Sequence, residues 1–277
     1  MENLPTIKLG STGYYVTILQ LNLSGLGVYY EKLAITGFFD EKTNKYTKIF
    51  QEKTKLNPNG IVEMKTWKSL FENVILIQKK LQTEGVYSGQ LDGIFGISTI
   101  QSTQEYQKKQ NLYLSGDITP RTRHRLFNPN SKNEFYASSS HLNSLHPFVK
   151  MLAKEFLELT KANGLDVRIY SVFRSWSEQD QLFSLGRWKL GKKVTNARGG
   201  ESYHNWGLAF DAAPYINNSI PWGDIKKFKQ MGYIGEKLGL SWGGHFTSIV
   251  DYPHFEYSFG LSSWDLLNGI KPPILDI

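Results

Sequence analysis

The residues with the clearest chemistry stand in two short stretches, Ser202-Tyr203-His204-Asn205-Trp206-Gly207-Leu208-Ala209-Phe210-Asp211 and, about 40 residues later, Asp251-Tyr252-Pro253-His254. Two imidazoles and one carboxylate make a three-ligand zinc site with one coordination position left open for water. A lone His or Asp is ordinarily a satisfied hydrogen bond. Here His204 and Asp211 bracket a small-residue turn at Gly207 and Ala209, which lets two chain segments approach one ion. Zinc held by neutral imidazoles and one carboxylate keeps a net positive charge, lowers the pKa of bound water to about 7 and polarises a peptide carbonyl. Hydrolysis then needs one proton acceptor.

The pattern Ser-x-His-x-x-Gly-x-Ala-x-Asp with a downstream Asp-x-Pro-His-Phe resembles the zinc peptidases that include D-alanyl-D-alanine carboxypeptidases and L-alanyl-D-glutamate endopeptidases. The resemblance continues upstream through Phe173-Arg174-Ser175, Glu178-Gln179, Leu182-Phe183, Gly186-Arg187 and Val194-Thr195-Asn196-Ala197, and covers roughly residues 143–260. It implies His204, Asp211 and His254 as zinc ligands, Asp251 as general base, and Arg174 with Ser202 as substrate-facing groups. The Phe-Arg-Ser, Glu-Gln and Gly-Arg series looks more like the L-alanyl-D-glutamate endopeptidases. A D-alanyl-D-alanine carboxypeptidase is the enzymatic alternative. A non-catalytic wall-binding protein with a structural zinc site, as in the hedgehog branch of the superfamily, is the other, and an intact Asp251 argues against it.

Each residue also has a plainer reading. Asp251, before Tyr252-Pro253, could cap a turn, and Pro253 with strand alternation places it on a bend ahead of the strand that carries His254. Arg174 follows the apolar run Val167–Phe173 and emerges at a strand end, where it could clamp a carboxylate bidentately or pair with a structural Asp. His245, after Trp242-Gly243-Gly244, is a possible rival ligand, but it lacks the Asp-x-x-His relation of His254.

The elements that must hold these residues read as α+β, an antiparallel sheet with flanking helices over residues 143–277. Phe148, Val149, Leu152, Phe156 and Leu159 give a helical face ending at Gly164. Ser175-Trp176-Ser177-Glu178 has the form of a capping box for a helix to about Leu185, closed by Gly186. Ile225, Phe228, Met231, Ile234 and Leu238 repeat at helical spacing up to Gly239, and Phe255 and Tyr257 alternate with His254 and Glu256 as on a half-buried strand.

A different architecture precedes this unit. Shifted by 56 residues, Gly37, Phe39, Thr43, Phe50-Gln51, Leu56, Gly60, Thr66 and Leu70 match Gly93, Phe95, Thr99, Tyr106-Gln107, Leu112, Gly116, Thr122 and Leu126. Each copy, 1–73 and 74–128, resembles the all-α three-helix peptidoglycan-binding module. Asp40, Asp92, Phe39 and Phe95 lie in its motif, and the two aromatics read as core. With a linker over 129–142, rich in polar turn formers, three cores are expected.

The chain has 277 residues, 40% of them hydrophobic and 14% aromatic, and no cysteine, which excludes disulfides and thiolate metal sites. No apolar stretch suits membrane insertion. The net charge is +7, with 16 basic against 11 acidic residues in positions 1–130. That surplus suits peptidoglycan carboxylates or teichoic acid; no nucleic-acid motif accompanies it. The start Met1–Lys8 carries no secretory signal pattern, and a wall hydrolase of that kind resembles a phage endolysin, expected to be made in the host cytoplasm and to act on the cell wall after release.

Overall fold

The computed structural model describes residues 4–28, 31, 33–131 and 136–275. Met1–Asn3 of the expected signal-free start and residues 132–135 of the expected linker lie outside them. The chain divides into two compact units, Met1–Asn130 with Leu267–Gly269, and Ser131–Leu266 with Ile270–Ile277. Among the described residues no helix is long and apolar enough to cross a membrane.

The first unit is all-α: α1 (Tyr14–Gly25), α2 (Glu41–Lys53), α3 (Met64–Thr83), α4 (Ile97–Lys109) and α5 (Pro120–Phe127). Helix α3 closes the first sequence copy and opens the second, because no Gly or Pro interrupts its apolar face of Trp67, Leu70, Val74, Ile77 and Leu81. The copies also interlock. Asn22 on α1 donates from Nδ2 to the Gly93 carbonyl at 2.9 Å and accepts from the Phe95 amide at 2.8 Å. A methyl group at Gly25 would lie 2.0 Å from the Phe95 ring. The two repeats therefore form one unit, where the sequence repeat suggests two cores. Phe39 and Phe95 are fully buried in it.

Inside the 56-residue repeat lies a finer one. Gln20, Gln51, Gln78 and Gln107, all buried, each accept the amide of a left-handed glycine, namely Gly37, Gly60, Gly93 and Gly116. Each donates from Nε2 to a carbonyl just beyond that glycine and to the hydroxyl of Thr43, Thr66, Thr99 or Thr122, six residues after it. One amide thus closes each turn and fixes the helix that follows. Gln78→Leu would strand these groups in the core and lower the unit's stability by about 3 kcal/mol, to be read from urea unfolding of the full chain.

The second unit sets an antiparallel sheet, in the order β1-β2-β4-β3, against helices. Its elements are α6 (Pro147–Ala162), β1 (Val167–Ser171), α7 (Trp176–Ser184), β2 (Ala209–Pro214), α8 (Ile225–Lys237), β3 (Ser241–Trp242) and β4 (His254–Glu256). Phe156 of α6 packs on Phe210 and Phe255, whose rings stack across β2 and β4 with centroids 5.6 Å apart. Phe228 and Met231 of α8 complete that core. Since strand side chains alternate, Asp211 and His254, the neighbours of Phe210 and Phe255, point to the opposite face.

Ser139 in the expected linker pairs with Phe173 as an isolated antiparallel bridge, with both backbone hydrogen bonds made. The hydroxyl of Ser138 accepts the Ser175 amide and donates to Glu178. The Ser175 hydroxyl caps α7 at the Glu178 amide, while the Glu178 carboxylate reaches Ser138. This half of the linker is thus part of the second unit.

Candidate metal centre

The register of β2 against β4 pairs Asp211 with His254, and cross-strand partners place their side chains side by side. His204 joins them from a single 3-10 turn, Tyr203–Trp206. Ser202 caps that turn in a reciprocal capping box with Asn205, and Gly207 ends it in the left-handed conformation, φ 68°. A side chain at Gly207 would strike the Ser144 carbonyl, its Cβ 2.6 Å away. Asn205 fixes the turn to β1's extension by donating to the Arg174 carbonyl at 2.8 Å.

Three atoms meet on the sheet face. His204 Nε2 lies 3.0 Å from Asp211 Oδ1 and 3.1 Å from His254 Nδ1, and His254 Nδ1 lies 3.4 Å from Asp211 Oδ1. The outward ring nitrogens have partners of their own: His204 Nδ1 lies 2.6 Å from the Val172 carbonyl and His254 Nε2 lies 2.8 Å from Glu256. A neutral imidazole that donates on its outward side presents a lone pair inward. Two lone pairs and a carboxylate oxygen then converge on one point, an arrangement that needs a cation or a shared proton. These three residues are the group of described side chains able to hold a metal ion.

The electrostatics agree. Burial opposes the charge on Asp211, but His204 and His254 hold its carboxyl well below the usual range. Burial likewise opposes charge on His254, yet hydrogen bonds to Asp211 and Glu256 raise it to about 10. Without metal, a proton occupies the cation's place. A raised histidine stabilises the fold fully below its unfolded value near 6.5, and that stability is lost as pH rises through about 10. Thermal melting in chelator should therefore show the metal-free protein weakening from pH 7 to 10. Metal binding displaces the proton, so affinity should tighten by about tenfold per pH unit over that window.

Asp251 sits on the turn before β4. Its amide donates to the Gly243 carbonyl at 3.0 Å, and its own carbonyl accepts from the His254 amide at 3.2 Å. Trp242 Nε1 holds the same turn at the Tyr252 carbonyl, 2.8 Å. Gly243 is required for this approach, since a Cβ there would lie 2.4 Å from the Asp251 oxygen. The Trp-Gly-Gly motif thus serves Asp251, while His245 points away, 67% exposed and 2.9 Å from Glu236. Burial and Asp211 push the Asp251 carboxyl up, against the pull of His254, His204 and Arg174.

Arg174 does not stand open to solvent. Its Nη2 donates to Asp211 Oδ2 at 2.8 Å and Nη1 to Gln179 Oε1 at 3.0 Å. This pairing takes Asp211 Oδ2 and leaves Oδ1 facing the imidazoles. Ser202 is engaged in capping. Arg187 and Arg198 are engaged too, the first with backbone carbonyls of Phe183 and Thr195, the second with Glu201. The motifs pass over Glu256, although His-x-Glu on a strand puts both side chains on one face.

Comparison with known proteins follows this division. Residues 195–257 match the family described as D-alanyl-D-alanine carboxypeptidase, and residues 12–70 and 72–126 each match a peptidoglycan binding domain. Over 121 residues, 40% of this chain and 72% of the relative, the sequence is 44% identical to the peptidoglycan L-alanyl-D-glutamate endopeptidase CwlK of Bacillus subtilis (strain 168). An L-alanyl-D-glutamate peptidase of Listeria phage A118 is 26% identical over 128 residues, 45% of this chain and 42% of its own length. The crystal structure of the Serratia marcescens L-Ala D-Glu endopeptidase ChiX superposes with a TM-score of 0.34 at 18% identity, covering 43% of this chain and 84% of that one.

Proposed function

This chain belongs to the D-alanyl-D-alanine carboxypeptidase family of peptidases, and we propose that it is a zinc-dependent peptidoglycan hydrolase cutting the stem peptide between L-Ala and D-Glu. The observation that carries the reading is the convergence of His204 Nε2, Asp211 Oδ1 and His254 Nδ1 on one point. The Bacillus relative supports the choice of bond, because its similarity extends over about twice the length of the family match. The description of that family keeps the D-alanyl-D-alanine carboxypeptidase as the rival.

His204, Asp211 and His254 would hold the zinc, with the Val172 carbonyl, Arg174 and Glu256 orienting them from behind. When bound, zinc supplies a Lewis acid and an acidified water. Asp251 accepts a proton from the attacking water at its carboxylate and returns it to the departing amine. Its raised pKa suits both halves of that task. The helical unit holds the wall, through peptidoglycan itself or through teichoic acid drawn by its basic surplus, and tethering raises the local concentration of stem peptide. The phage relative favours an endolysin's setting for this activity, the wall of a lysing host.

Purified walls should clear with zinc-loaded protein and stay turbid with chelator-treated protein. Clearing that is indifferent to chelator would exclude a metallopeptidase.

A further inference from the structure

Tyr170 stands beside the site, and neither the motifs nor the ligand cluster explains it. It is the extra residue of β1 where the register against β2 slips between Ile169 and Ser171, opposite the Ala212–Asp211 step. An inserted residue of this kind re-aims a side chain beside a site. Tyr170 lines a cavity of about 200 Å3 with Ser138, Ser139, Phe173, Arg174 and Glu178. The residue is 39% exposed, and among the described residues its hydroxyl makes no hydrogen bond. Burial first, then the nearby charges of Asp211 and Asp251, raise its pKa, so the phenol keeps its proton at any working pH.

Amide hydrolysis concentrates negative charge on the carbonyl oxygen, and a donor preset for that oxygen accelerates the step. Arg174, the group that the resemblance turns toward substrate, is engaged by Asp211 and Gln179. Tyr170 is an unengaged donor on the same cavity, beside the shorter hydroxyls of Ser140 and Ser171, and its ring carries the hydroxyl furthest from the backbone. Resting on the peptidase reading above, we propose that Tyr170 is a further catalytic residue, whose hydroxyl donates a hydrogen bond to the carbonyl oxygen of the scissile amide. The phenol donates without transferring its proton. The balance of hydrolysis is unchanged: a C–O bond forms to water's oxygen, the C–N bond breaks, and Asp251 carries one of water's protons to the amine.

The test compares wild type with Tyr170→Phe, which keeps the ring, both zinc-loaded. On stem peptide kcat should fall by about 100-fold, with KM, zinc content and Tm unchanged. Equal kcat overturns the assignment. Inorganic phosphate, a tetrahedral oxyanion that needs no particular peptide bond, is titrated into both proteins by calorimetry. It should bind the Phe variant about tenfold more weakly. Equal phosphate binding overturns the role of Tyr170 even where the wild type cleaves no stem peptide. Wild-type failure on stem peptide alone would count against the choice of substrate instead.

Discussion

Replacing Asp251 with alanine should abolish wall hydrolysis and leave the metal in place, with kcat falling by about 10²- to 10⁴-fold. Asp251 is outside the three-atom cluster, and the two hydrogen bonds that seat its turn, with Gly243 and His254, are made by its backbone and survive the substitution. Asp251→Asn separates basicity from shape. If the carboxylate only caps the turn, asparagine restores activity; if it moves a proton, asparagine is as inactive as alanine. The pH profile adds a second check. The group must be ionised to accept a proton, and burial raises its pKa above the ordinary 3.8. Activity is therefore lost as pH falls through that raised value, and the acid limb should lie above that of an unperturbed aspartate. Initial rates at matched zinc content measure both effects.

His254→Ala should remove zinc binding and with it all measurable cleavage, since two remaining ligands do not complete a catalytic site. Glu256→Gln gives the graded version. The Glu256 carboxylate lies 2.8 Å from His254 Nε2, so it holds the imidazole with Nδ1 facing Asp211. A neutral amide there loosens the ring and lowers its basicity, and zinc affinity should weaken by about 10- to 100-fold. Competition against a chromophoric chelator resolves the two variants. Undiminished zinc affinity in Glu256→Gln would mean that the Val172 carbonyl and Arg174 suffice to orient the cluster.

Much of the site can be read from residue order, because its parts obey short-range rules. The apolar faces ending at Gly164 and Gly239 are α6 and α8, and the glycines adopt the left-handed caps their positions suggest. The bend at Asp251 follows from Pro253. What residue order hides is pairing across the fold. Nothing local says that Asp211 faces His254 across two strands, that Arg174 turns onto Asp211, or that Ser139 of an apparently structureless polar stretch pairs with Phe173. Tyr170 is hidden for the same reason, since a bulge exists only relative to a partner strand. In the helical unit the 56-residue repeat is visible as matched letters. The four glutamine clamps within it are not, because Gln20 stands 17 residues from Gly37 but Gln51 stands nine from Gly60.

The most direct test is mass spectrometry of muropeptides released from purified walls by the zinc-loaded protein, with chelated and Asp251→Ala samples alongside. A new amino-terminal D-Glu, absent from both controls, is the predicted result. Loss of the terminal D-Ala would instead identify a carboxypeptidase, and an unaltered muropeptide profile in all three samples would contradict hydrolysis at this site.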